Sequence, residues 1–127
     1  KRIQIEARVL GDLALNHIVP TAIKYQNKLI ENAKGLSELG LDNSHVKSTI
    51  SAISGYLNDL VKDVEAMVEE RKRVNQIEDG EEKAIAYCDS IKHKYFDKIR
   101  RSVDKLELLV DDEDWPLPKY RELLFIR

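Results

Sequence analysis

Three histidines, one cysteine, a basic triplet and an acidic run are the residues of this chain whose types could do chemistry. His17, His45 and His93 could act as metal ligands or proton carriers. None is joined to a second His, Cys, Asp or Glu in a recognised ligand pattern such as HExxH or CxxC. His17 lies close to Pro20, where it would satisfy a carbonyl that the proline leaves free. Cys88 falls on an apolar helical seam, which favours a buried, inert thiol. Asp111, Asp112, Glu113 and Asp114 could attract a cation, but they lack the alternating ligands and glycine of a calcium loop. A solvated run, or a contact for a basic partner, is the better reading. Arg71, Lys72 and Arg73 follow Glu69 and Glu70, so surface ion pairing accounts for them before phosphate binding does. Tyr87, Tyr95 and Phe96 read as packing residues, because no basic groove flanks them as a base-stacking platform requires. There is no glycine-rich phosphate loop and no serine, histidine and aspartate constellation. The expectation is a chain with no catalytic, cofactor-binding or metal-binding residue of its own.

The elements that carry these residues are helical by period. Val46, Ile50, Ile53, Leu57, Leu60, Val64 and Met67 advance in alternating steps of four and three, a heptad seam that Val74 continues beyond Arg71. Lys47, Ser48, Asn58, Lys62, Glu65 and Glu69 occupy the other face. This predicts a helix over 44–77, with Asp42, Asn43 or Ser44 as its N-cap. Gly55 lies inside it, either at a cost of about 1 kcal/mol or as a place of close packing.

The first helix spans 1–39 and is periodic from about Ile3. Its apolar positions, among them Ile5, Val9, Leu10, Leu13, Ala14, Ile18, Ala22 and Ile23, cover more than one stripe, so it should meet more than one neighbour. Pro20 predicts a kink or short break around 16–20, and Gly40-Leu41 a Schellman-type end. A third helix covers 80–110, capped by Asp79 with Glu82 three residues on. Its seam is Ile85, Cys88, Ile91, Tyr95, Ile99, Val103, Leu106 and Leu109 or Val110. The acidic run then opposes the C-terminal dipole and ends the helix.

Short connections make sequential helices antiparallel neighbours. The fold expected is all-α: one domain over 1–127, an elongated antiparallel bundle of three long helices. The second and third would each be roughly 45 to 50 Å long. The segment 111–127 changes character. Trp115-Pro116-Leu117-Pro118 excludes helix interior, 119–126 suits one or two turns, and the apolar content predicts a tail docked on the bundle or on a partner.

The chain has 127 residues, 35% charged and 43% hydrophobic, with a net charge of −2. One well-ordered domain fits those figures. The balance of charge provides no field for nucleic acid or anionic membrane, and no run approaches a membrane span. A single cysteine fits a reducing compartment. The first residue is Lys1 and the helical pattern is already running, so the sequence reads as a piece of something longer.

Particular blocks carry a resemblance. Arg2-Ile3-Gln4-Ile5-Glu6-Ala7-Arg8-Val9-Leu10-Gly11-Asp12-Leu13-Ala14 and Asn16-His17-Ile18-Val19-Pro20-Thr21-Ala22 open it. Tyr25-Gln26-Asn27, Leu29-Ile30-Glu31-Asn32 and Ala86-Tyr87-Cys88-Asp89 continue it. Asp104-Lys105-Leu106-Glu107-Leu108, Val110-Asp111-Asp112 and Trp115-Pro116-Leu117-Pro118-Lys119-Tyr120-Arg121-Glu122-Leu123-Leu124-Phe125 close it. Together they resemble the C-terminal region of type III glutamine synthetases, least closely over 36–69.

The resemblance implies a bacterial, cytoplasmic parent that joins ammonia to glutamate with ATP and magnesium and assembles as a double hexameric ring. It places the metal-binding glutamates and the ATP and glutamate sites in preceding domains, so none is carried over to a residue here. The implied partners are the catalytic domain of the same polypeptide and neighbouring subunits. The fragment alone is expected to have no enzymatic activity. Its role is either structural, supporting the core or the ring, or that of a regulatory module docking a separate protein or effector.

Overall fold

Helical periodicity in the first part of the chain is realised as two α-helices, α1 (Arg2–Leu13) and α2 (Val19–Glu38), joined without interruption by a π-helical stretch, π1 (Ala14–Ile18). Pro20 has no backbone N–H, and its ring crowds the carbonyl four residues earlier, that of Asn16. The wider turn falls at that place: the N–H of Val19 donates to the carbonyl of Ala14, five residues back. The computed structural model describes residues 2–110, and these are all-α. The tail 111–127, with its acidic run, its Trp-Pro-Leu-Pro segment and the turns expected over 119–126, lies outside the described residues.

Helix α2 ends in a Schellman arrangement. Leu41 N–H donates to the carbonyl of Leu36 (2.8 Å) and Gly40 N–H to that of Ser37 (3.1 Å). Gly40 has φ +72°, a left-handed conformation in which a Cβ would be strained. Asn43 occupies the N-cap position of the next helix, α3 (Ser44–Asn75), without a side-chain capping bond. Its amide instead donates to the carbonyl of Ala33 (3.0 Å), tying the loop to α2. Asp42 takes up the turn, accepting from the Ser44 hydroxyl (2.6 Å) and the Ser44 N–H (3.1 Å). Those two bonds hold its carboxyl below the usual carboxylate range.

Helix α3 buries Ile53, Leu57, Leu60, Val64, Met67 and Val74, the heptad seam from its third member on, while Val46 and Ile50 at its start are half-buried. Asn58, Glu65 and Glu69 stay exposed. The seam is covered from two directions, by α2 and by the last helical segment. That segment consists of α4 (Gly80–Ala86), a π-helical stretch, π2 (Tyr87–Phe96), and α5 (Asp97–Leu109). Asp79 caps α4, its carboxylate accepting from the N–H of Glu82 (2.9 Å). The core thus lies along α3, with Tyr87, Ile91, Tyr95, Phe96, Ile99 and Leu106 on one side and Ala7, Ala14, Ile18 and Ala22 on the other.

Two departures from simple periodicity matter. The buried face of α1, π1 and α2 is built from small residues, Ala7, Gly11, Ala14 and Ala22, with only Ile18 large. A Cβ placed on Gly11 would lie 3.6 Å from Val64 Cγ1 and 3.8 Å from Met67 Cε. This close approach turns the larger side chains outward: Ile5 is 61% and Val9 60% exposed.

The seam expected for the last helix also shifts. Ile85 is 57% exposed and Cys88 only half-buried, while Tyr87 and Phe96 are buried. In an α-helix a step of four overshoots one turn by about 40°. The wider turn of π2 brings Tyr87, Ile91, Tyr95 and Ile99 closer to one line.

Gly55 does not serve a close approach within the described chain, because a Cβ there would meet nothing within 4 Å. Gly55→Ala should therefore stabilise the protein by about 1 kcal/mol, through the helix interior alone. Urea unfolding followed by circular dichroism would record the shift. A loss of stability would mean that the glycine is needed for contact.

Candidate functional site

The structure separates most of the residues whose types could do chemistry. His17 is exposed, its Nε2 4.0 Å from Asp12 Oδ2. The same aspartate accepts from Asn16 Nδ2 (2.6 Å), so the pair is a local surface contact on α1 and π1. His45 is exposed at the start of α3, where its own carbonyl accepts from the Thr49 hydroxyl (3.2 Å).

The basic triplet is engaged along its own helix. Arg73 Nε donates to Glu70 Oε1 (2.8 Å), and Lys72 Nζ lies 3.3 Å from Glu69 Oε1. The hydrogen bond from Arg73 lowers the carboxyl of Glu70 and, reciprocally, raises the guanidinium. Arg71 is half-buried in a groove that also includes Arg8, Val9, Asp12 and Val68. Exposed pairs one turn apart contribute only tenths of a kcal/mol, so these serve solubility more than stability.

Tyr87, Tyr95 and Phe96 are core. Tyr87 reaches back to α3, its hydroxyl donating to Asn75 Oδ1. Burial raises its phenol above the ordinary tyrosine range, against the smaller opposing effects of Arg71 and the Asn75 bond. Lys94 Nζ sits 5.4 Å from the Tyr95 ring centre, and the Arg100 guanidinium 5.8 Å from that of Phe96.

One pair is brought together that the sequence reading left apart. Cys88 Sγ is 3.3 Å from His93 Nε2. Asp89 completes a group: its carboxylate, the thiol and the ring nitrogen lie within 4.8 Å of one another. The spacing Cys-Asp-x-x-x-His matches no familiar ligand pattern. In an α-helix residues five apart point about 140° away from each other. Only the π-helical path of π2 sets them side by side, and nothing in the local sequence signals that path.

The other feature with functional content is the outward side of α1 and its continuation. Ile5, Val9, Leu15 and Ile23 are exposed along it, Val9 and Leu15 at the edge of the groove beside α3, while Ala7, Gly11 and Ala14 are buried. Among the described residues, no helix is long and apolar enough to cross a membrane.

Comparison with known proteins adds a similarity. Residues 1–37 match the model described as the glutamine synthetase C-terminal domain. The chain is 45% identical over 132 aligned positions to a protein named glutamine synthetase from Bacteroides fragilis, covering 99% of this chain. It is 26% identical over 133 positions to the type-3 glutamine synthetase of Dictyostelium discoideum, covering 100% of this chain. In both cases the chain spans 18% of the relative's length.

Proposed function

We propose, from this similarity, that the chain is the C-terminal domain of a type III glutamine synthetase and serves as a structural domain, docking through its first helix on the catalytic core of the same polypeptide or on a neighbouring subunit. The observation that carries this reading is the exposure of Ile5 and Val9, one turn apart on α1. Covering a side chain of that size is worth about 1.5–3 kcal/mol. The small-residue stripe of α1 is already used against α3. A soluble helix that turns its larger apolar residues outward offers them to another surface.

In this reading the parent ligates ammonia to glutamate with ATP and magnesium, in the cytoplasm, as a double hexameric ring. The present chain supplies one helical domain, 1–127, built on an elongated antiparallel bundle of three long helices. Supporting the antiparallel sense are contacts whose numbers fall on one helix as they rise on the next. Asn43 reaches Ala33, Gln26 Nε2 donates to the Ile50 carbonyl (3.0 Å) and to Ser54 Oγ (2.7 Å), and Gly11 faces Val64 and Met67.

Among the described residues, the one cluster of metal-type donors does not suit magnesium. Magnesium takes oxygen ligands, whereas the metal-type cluster among the described residues includes a thiol and an imidazole.

The test uses Ile5→Glu with Val9→Glu. Both positions are exposed, so the 127-residue chain should keep its helical signal and unfolding midpoint within about 0.5 kcal/mol. In the full-length parent the same pair should lower particle mass and activity together. Unchanged mass and activity would overturn the docking role. Rings that persist with only an altered response to effectors would put the regulatory docking module in its place.

A further inference from the structure

The geometry points to a metal site on π2: we propose that Cys88, Asp89 and His93 bind one thiophilic divalent cation of the zinc class. This inference stands apart from the docking role and does not depend on it.

Three different donors converge. The thiol sulfur, a carboxylate oxygen and a ring nitrogen lie within 4.8 Å of one another, and the sulfur–nitrogen separation is 3.3 Å. Zinc bonds of about 2.3 Å to sulfur and 2.0–2.1 Å to nitrogen, at a tetrahedral angle, set those two atoms about 3.5 Å apart. The pair therefore stands near the edge length of a tetrahedral site before any side chain moves. Asp89, beside Cys88 in sequence, brings the third ligand to the same turn.

The donor set selects the metal class. Calcium and magnesium call for oxygen ligands. One thiolate, one imidazole and one carboxylate suit zinc, and cobalt as its spectroscopic substitute. Thiolate and carboxylate together offset the two positive charges, with the imidazole neutral. Access is open, since Asp89 and His93 are exposed and Cys88 is half-buried. A water molecule would complete four ligands.

The backbone gives the site its physical basis. A cysteine and a histidine five residues apart meet only when the helix turns in the i→i+5 manner, as it does from Tyr87 to Phe96. A metal joining them would close that turn covalently from outside. π2 packs against both α1 and α3, so the ion would stabilise the segment that links the two. The alternative account of the 3.3 Å contact is a simple thiol–imidazole hydrogen bond, which needs neither Asp89 nor a metal.

The test titrates the 127-residue chain with cobalt(II) and then zinc(II). The expected result is a thiolate-to-cobalt charge-transfer band that saturates at one metal ion per chain and disappears when zinc displaces cobalt. Cys88→Ser should abolish the band. His93→Ala and Asp89→Asn, at exposed positions where the fold is not at stake, should each weaken affinity at least about tenfold; loss of outer-shell support alone costs that much in metal sites. His17→Ala and His45→Ala should change nothing. No charge-transfer band in the unmodified chain would overturn the proposal. So would His93→Ala binding as tightly as the parent sequence, which would leave a lone thiol with a hydrogen bond.

Discussion

Leu60→Asp should unfold the chain. Leu60 is 0% exposed at the middle of the α3 seam, where α3 is packed from both sides. Removing the leucine side chain and leaving a cavity costs about 2–5 kcal/mol. The aspartate adds a second cost: its carboxylate has no partner in a seam of Leu57, Val64 and Met67. It must either remain charged, at a penalty of several kcal/mol, or take up a proton and still leave polar oxygens unsatisfied. The sum is comparable to the whole stability of a domain, about 5–15 kcal/mol. The internal control is Asn58→Asp, which introduces the same charge two residues away on the exposed face and should stay within about 0.5 kcal/mol. Far-ultraviolet circular dichroism at neutral pH decides it. Equal helical signal and equal urea midpoints for the two variants would mean that the seam does not bear the fold.

The contrast between those two positions explains what was legible in the sequence. In α3 the heptad residues from Ile53 to Val74 are the buried ones, because both neighbours press on one stripe, and Tyr56, Val61 and Val68 beside it are only half-buried. Periodicity then maps directly onto burial. In α1 the two sets diverge. The stripe that meets α3 is Ala7, Gly11 and Ala14, chosen for close approach, and a reading that ranks residues by hydrophobicity finds Ile5 and Val9 first. The size of the neighbour decides this, and a single helix carries no record of it. Small residues on one face with large ones on the other are still a usable signal when the small set is itself periodic.

Cys88 is half-buried, not core, for a different reason. Ile85, Cys88, Ile91 and Tyr95 fit a 3.6-residue template, so Cys88 reads as core. The chain does not follow that template from Tyr87 to Phe96. Its hydrogen bonding is widened, the phase of the apolar face moves, and Cys88 is brought to the edge beside His93. A template of fixed period has no way to register a change of period within one helix. The long-range bonds of Gln26 to α3 and of Tyr87 to Asn75 were equally hidden, since each joins residues far apart in sequence through side chains that carry no pattern.

That change of period supplies the second large effect. Phe96→Ala should cost about 3–5 kcal/mol, the usual range for deleting a buried phenylalanine side chain, because Phe96 is only 2% exposed, within the core. Ile85→Ala should cost no more than about 0.5 kcal/mol, because Ile85 faces solvent. An uninterrupted α-helix on the 3.6-residue seam predicts the reverse order: Ile85 inside, and Phe96 about 100° away from Tyr95. Urea unfolding of the two variants therefore measures the helical register itself. If Ile85→Ala proves the costlier change, the segment is α-helical throughout, and residues 88 and 93 point about 140° apart. The cluster of Cys88, Asp89 and His93 would then dissolve, and the metal site with it. If Phe96→Ala is the costlier by several kcal/mol, the widened turn exists in solution. The same backbone bonds that seat Phe96 in the core then bring the thiol and the imidazole together.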